Sequence, residues 1–143
     1  MSETHYQTLR DSIAQATACS SRQALGLRMF ELFFARFPEA QRYFEETYIP
    51  DFAAPKFKYV SDLILDAVRN PHYATYQMVS EVMRHNYLDV QDAPYFYTMV
   101  DCCQQAVADG LGPAWNPQLA TCWEESTQAA KAVVQEAIKE ARR

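Results

Sequence analysis

Glycine is scarce in this chain, where only 3 of the 143 residues are glycine, at positions 26, 110 and 112. The tight turns between β-strands often need residues with positive φ, which glycine supplies most readily. The sequence therefore disfavours a hairpin-rich β architecture and predicts an all-α fold. With 49% hydrophobic and 13% aromatic residues, a chain of this length can close one substantial core. We expect a single domain over residues 1–143.

The charge of the chain excludes one class of partner. Nucleic-acid surfaces need clustered Lys and Arg, whereas the net charge here is -5 and the 13 basic residues are scattered. No run approaches the roughly 18–20 apolar residues of a membrane span, and the polar start MSETHYQTLRDS lacks the apolar core of a signal peptide. We expect a cytoplasmic protein that contacts neither nucleic acid nor membrane.

The cysteines give no sign of metal or redox chemistry. Cys19, Cys102, Cys103 and Cys122 show no CxxC spacing, and the adjacent pair points to different faces of a helix. In a reducing compartment such residues are small, buried members of the core.

Prolines, glycines and capping residues divide the chain into about seven predicted helices. These helices lie at about 4–18, 22–37, 38–46, 53–68, 71–87, 93–110 and from 117 almost to the C-terminus. Ser20 or Ser21 can cap the second helix, Asp92 the sixth and Asn116 the seventh. The segment TYIPDFAAP, 47–55, is expected to be irregular.

A lone histidine, His85, lies in the stretch MRHNYLDVQDAPYF, close to the end of one predicted helix. At 3.6 residues per turn it borders the broad apolar arc of that helix. A histidine in such a place is most often a core or boundary residue bonded to a backbone carbonyl. The position alone leaves that interpretation open beside a ligand-binding one.

Three motifs follow one another along the chain: MFELFFARFPEAQRYF at 29–44, HNYLDVQDAPYF at 85–96 and LGPAWNPQLATCWEE at 111–125. Over about residues 20–135, the chain resembles single-domain bacterial haemoglobins and the globin domain of flavohaemoglobins. The LG-x-x-W-N-P-x-L-x-x-x-W pattern is the most specific part of the resemblance. It implies a globin fold, with about seven helices around a cleft for haem b, iron protoporphyrin IX.

The resemblance assigns roles to residues on the proximal side of the haem. His85 would be the iron ligand, Phe44 the aromatic residue that stacks on the porphyrin, and Val90 an aliphatic contact on the proximal face. Ordinary core packing is the alternative for Phe44 and Val90. Tyr95 matches a tyrosine that reinforces the proximal histidine together with a glutamate. Because Ile138 stands at the position of that glutamate, we expect no strong proximal electron donation.

The distal side departs from the family pattern. Phe30 and Lys56 stand where related globins carry a tyrosine and a glutamine or histidine, and Val60 is expected to face inward. Lys56 can reach solvent or a haem propionate, donate a hydrogen bond to the gas, or bind iron as a deprotonated sixth ligand. Tyr59 or Tyr48 could supply a hydroxyl instead.

The leading functional hypothesis is reversible binding of O2, NO or CO at the haem iron, by a ligand-binding protein more than a dedicated enzyme. The second is a haem enzyme, namely an NO dioxygenase, a nitrite reductase or a peroxidase-like protein. A reductase domain does not fit in 143 residues, so such an enzyme would need a separate electron donor. The third is a haem-free or sensor globin that works through protein contacts. The partners considered are a diatomic gas, a separate reductase and a second copy of the chain.

Overall fold

The computed structural model describes residues 2–87 and 93–142, and this part of the chain is helical without any β-strand. The all-α prediction is confirmed. Six α-helices are present in the described ranges: α1 Glu3–Cys19, α2 Arg22–Arg36, α3 Ile49–Arg69, α4 Pro71–Tyr87, α5 Ala93–Leu111 and α6 Pro117–Ala141. Short 3₁₀ helices follow α2 at Pro38–Phe44 and α5 at Gly112–Ala114. Across the same residues, no helix is both long enough and apolar enough to cross a membrane.

Capping side chains set several of these boundaries, as the sequence predicted. Ser21, and not Ser20, caps α2, because its hydroxyl accepts the backbone N–H of Ala24 at 3.0 Å. Asn116 caps α6 by accepting the N–H of Leu119 at 2.8 Å, with proline at the first helical position. The proposed cap Asp92 lies outside the described residues.

The prediction of an irregular segment over 47–55 is wrong, because α3 begins at Ile49. Pro50 lies in the first turn, where the missing N–H costs nothing. Pro55 lies inside the helix, near its start. Burial of Ala53 and Phe57 on the same helix favours the helical conformation over the break that proline suggested.

Helices α2 and α3 approach each other closely at Gly26 and Ala53. A Cβ placed on Gly26 would lie 2.0 Å from the backbone oxygen of Ala53, so only glycine allows this approach. The contact fixes which face of α3 turns towards the interior of the protein.

The cysteine prediction is confirmed at three of four positions. Cys102, Cys103 and Cys122 are buried, and burial raises the pKa of all three thiols. Cys19 is exposed instead, because it is the last residue of α1.

Candidate functional site

A cavity of about 230 Å³ lies among α2, the first 3₁₀ helix and α3, α4 and α5. Six aromatic side chains form most of its wall: Phe33, Tyr43, Phe44, Phe52, Tyr95 and Phe96. Three basic side chains also line it: Lys56, Arg84 and His85. A second cavity of about 30 Å³ shares Lys56, His85, Phe96 and Met99 with the first. The larger cavity is thus lined mainly by aromatic and other apolar side chains, with a cluster of nitrogen-bearing side chains on one part of its lining.

Helix geometry brings these donors together. Phe52 and Lys56 are one turn apart on α3 and therefore share a face. Arg84 and His85 lie in the last turn of α4. Phe96 is in the first turn of α5, and its ring centre lies 5.0 Å from that of His85 in an edge-on contact. The sequence-predicted residues His85, Phe44, Lys56 and Tyr95 therefore line one cavity, although they come from four different elements.

His85 is oriented by its own helix. Its Nδ1 lies 2.8 Å from the backbone oxygen of Glu81, and a carbonyl oxygen can only accept, so Nδ1 carries the proton. In the neutral ring, Nε2 then keeps its lone pair for a ligand. Burial lowers the pKa of His85, and the positive charges of Lys56 and Arg84 lower it further. The structure thus favours a neutral imidazole, which is the form that binds metals.

The carboxylate of Glu81 lies beside the same ring nitrogen. Its Oε1 is 3.3 Å from Nδ1 of His85, and the guanidinium of Arg84 donates to the same oxygen. Nothing in the sequence patterns had singled out Glu81. The available signal was its spacing of four residues from His85, which places the two side chains on one helical face.

Lys56 extends into both cavities from the α3 side. Burial lowers the pKa of its amine, Arg84 lowers it further, and the negative charge of Glu81 opposes both effects. The Nζ atom lies 5.8 Å from the ring centre of Tyr59. Among the alternatives for a polar distal group, Tyr48 is 69% exposed. The hydroxyl of Tyr59 lies 3.7 Å from the sulfur of Met78.

The other residues predicted to contact the cofactor either do not line the larger cavity or lie outside the described residues. Phe30 is buried and packs edge-on against Phe44, with ring centres 5.3 Å apart, so it supports the lining from behind. Val60 lines only the smaller cavity. Val90 lies outside the described residues. Sequence reasoning missed Phe52, because the segment that contains it was taken as irregular.

Tyr95 lines the cavity from α5 and is held by residues at the end of α2 and in the first 3₁₀ helix. Its ring packs 4.8 Å from that of Phe37, and its hydroxyl donates to Oε1 of Glu39 at 3.3 Å. Ile138, the residue at the family's glutamate position, is buried on α6. Among the described residues, the carboxylate beside Nδ1 of His85 therefore belongs to Glu81 and not to α6.

Comparison with known proteins gives no family assignment: no family model matches the chain, and no curated protein matches it significantly. Within residues 2–87 and 93–142, no three His, Cys, Asp or Glu side chains come together to hold a metal ion. A metal at this site would therefore have to be held largely by its own cofactor, with His85 and, as a neutral amine, Lys56 as the described side chains that could bind it.

The chemistry of the cavity fits haem in three respects. Aromatic walls suit a flat macrocycle, the imidazole of His85 offers Nε2, and Arg84 could supply positive charge for a propionate. The volume of the cavity is the feature that fits haem least well. At about 230 Å³, the cavity is below the roughly 300–1,000 Å³ typical of small-molecule sites. Haem would have to move lining side chains apart to enter.

Proposed function

We propose that this chain is a globin that holds haem b through His85 and reversibly binds a diatomic gas, O2, NO or CO. The observation that carries the proposal is His85 itself, a neutral imidazole on an aromatic cavity with Nδ1 bonded to the carbonyl of Glu81 at 2.8 Å. When bound, haem supplies an iron atom with a coordination position for the gas. The protein supplies the ligand, the apolar enclosure and the charges at its edge.

The enclosure follows from the aromatic packing. Phe44 packs at 5.3 Å from Phe30 and 6.1 Å from Phe52, so these rings form one apolar group on that side of the cavity. Phe96 closes the side next to His85. An apolar enclosure of this kind protects a gas-binding metal from water and oxidising solutes.

Lys56 is the polar group that we assign to the distal wall. As an ammonium, Lys56 donates a hydrogen bond to a ligand in the cavity. As a neutral amine, a form that burial favours, it can bind iron directly. Both roles replace the tyrosine and glutamine or histidine of related globins, and both use the position of Lys56 on the cavity lining.

A haem-free globin that binds a smaller apolar ligand is the second candidate. The observation in its favour is the cavity volume of about 230 Å³, which a ligand much smaller than haem would fill without displacing the aromatic side chains. The two candidates share the fold and differ in the cofactor.

The absorption spectrum of protein supplied with haem tests the proposal. We expect the wild type to take up one equivalent of haem with a Soret band, and His85→Ala to hold haem weakly or not at all while far-UV circular dichroism stays helical. The matched control is His72→Ala, which removes an exposed histidine at the start of α4. Unchanged haem content and spectrum in His85→Ala would make the ligand assignment wrong. A wild type without haem uptake would favour the haem-free candidate.

A further inference from the structure

We infer that Glu81 is a positioning residue that strengthens the donation of His85 to haem iron; the inference rests on the proposed function. The reason is that the ring N–H of His85 donates to the backbone carbonyl of Glu81 and also lies beside the carboxylate of the same residue. Nδ1 lies 2.8 Å from the backbone oxygen of Glu81 and 3.3 Å from its carboxylate oxygen Oε1. The proton on Nδ1 is therefore donated to the carbonyl oxygen, while the carboxylate of Glu81 lies beside it and acts on it through its negative charge.

The carboxylate is held in place and largely shielded from water. The side chain of Glu81 is 14% exposed, and that of His85 is 19% exposed. Arg84, one turn of α4 further along, donates to Oε1 and fixes the carboxylate against the imidazole. The charged and titratable neighbours are Arg84 on the same helix and, from the facing helix α3, Lys56 and Tyr59. Partial burial strengthens these electrostatic interactions relative to water.

An acceptor on Nδ1 changes what Nε2 can do. A metal-bound histidine that donates its other N–H to a carboxylate becomes a more basic ligand with a fixed ring orientation. A carbonyl alone fixes the orientation, whereas the added negative charge of Glu81 pulls the proton away from the ring and increases the electron density at Nε2. This effect favours the ferric over the ferrous iron, because ferric iron carries the larger charge.

Glu81 changes the expectation of weak proximal electron donation that the family resemblance gave. The tyrosine–glutamate arrangement of related globins is incomplete here, since Ile138 stands at the glutamate position and Tyr95 donates to Glu39. Weak proximal donation was therefore expected. The structure supplies a carboxylate from within α4 instead, four residues before the histidine.

Glu81→Gln is the informative substitution, because it removes the charge and keeps the size of the side chain. In haem-loaded protein we expect a more positive ferric/ferrous midpoint potential, by about 59 mV for each tenfold loss in the preference for ferric iron. We also expect ferric haem to dissociate roughly ten- to a hundredfold faster, the usual cost of losing such a partner. The matched control is Glu136→Gln, which removes an equal charge from an exposed position on α6.

A second measurement separates the hydrogen bond from the charge. In His85→Gly protein loaded with haem, external imidazole can take the place of the side chain and donate its N–H to Glu81, whereas 1-methylimidazole has no N–H to donate. Adding Glu81→Gln should shift the potential more with imidazole than with 1-methylimidazole.

Three outcomes of these experiments lead to different conclusions. Equal shifts with the two ligands, or no shift in the Glu81→Gln protein, would overturn the inference and leave the proposed function intact. A wild type that takes up no haem would overturn both. A larger shift with imidazole, together with an unchanged Glu136→Gln control, is the result that supports the inference.

Discussion

The substitution Gly26→Ala tests how the cavity is built, because Gly26 is the point where α2 touches α3. An added Cβ would lie 2.0 Å from the backbone oxygen and 2.4 Å from the carbonyl carbon of Ala53. Ordinary contacts begin near 3.4 Å, so α3 would have to move by more than an ångström. Backbone atoms cannot rotate away as the end of a side chain can. Such a displacement would move the helix that carries Lys56 on the cavity lining.

Two opposing effects set the size of the loss. Overpacking of a close contact costs about 1–3 kcal/mol, and the clash with backbone places Gly26→Ala at the upper end. Replacing glycine by alanine inside a helix returns about 1 kcal/mol of helix propensity. We expect a net loss of about 2 kcal/mol in the free energy of unfolding. For a chain of this size that corresponds to a Tm lower by roughly 5–10 °C.

Gly110→Ala is the matched control, since Gly110 is also helical. Its added Cβ would lie 2.9 Å from Cδ2 of Leu25, a flexible side-chain end that can move. Urea unfolding followed by circular dichroism should show Gly110→Ala within about 1 kcal/mol of the wild type. Equal stability of Gly26→Ala and Gly110→Ala would refute the argument that the backbone contact sets the distance between α2 and α3.

Two further predictions concern the cavity lining. Burial lowers the pKa of Lys56 below its ordinary value of 10.5, so protonation of the amine opposes folding at pH values below 10.5. Lys56→Met should therefore raise the free energy of unfolding by about 1–3 kcal/mol at neutral pH. This gain in stability should shrink as the pH rises towards 10.5. Urea titrations that find the same gain at every pH would contradict the prediction. Phe44→Ala should cost about 3 kcal/mol, the lower end for a truncated phenylalanine, because the ring is only partly buried. Unfolding measured with and without added haem should give different losses, and equal losses would return Phe44 to ordinary core packing.

The sequence by itself determined the all-α class and the ends of several helices. Ser21 and Asn116 cap α2 and α6 through hydrogen bonds to residues three positions later, and such short-range contacts can be read from a local pattern. The near-absence of glycine and the spacing of apolar residues likewise identified the all-α class. The position of His85 suggested a hydrogen bond of its ring to a backbone carbonyl, and the structure shows that the acceptor is the carbonyl of Glu81, four residues earlier.

The start of α3 was decided by tertiary packing against the local signal. Prolines at 50 and 55 suggested irregular structure, but the burial of Ala53 and Phe57 and the contact with Gly26 hold this stretch as helix. Phe52 was missed as a cavity residue for the same reason.

The donor cluster depended on tertiary structure most of all. The apolar pattern of α3 favoured Val60 as the inward residue with Lys56 at the pocket edge, and in the structure Val60 is buried while Lys56 lines both cavities. Sequence periodicity identified the buried face of α3, but not which side chains of other elements its edge residues meet, because those contacts join parts of the chain that are far apart in sequence.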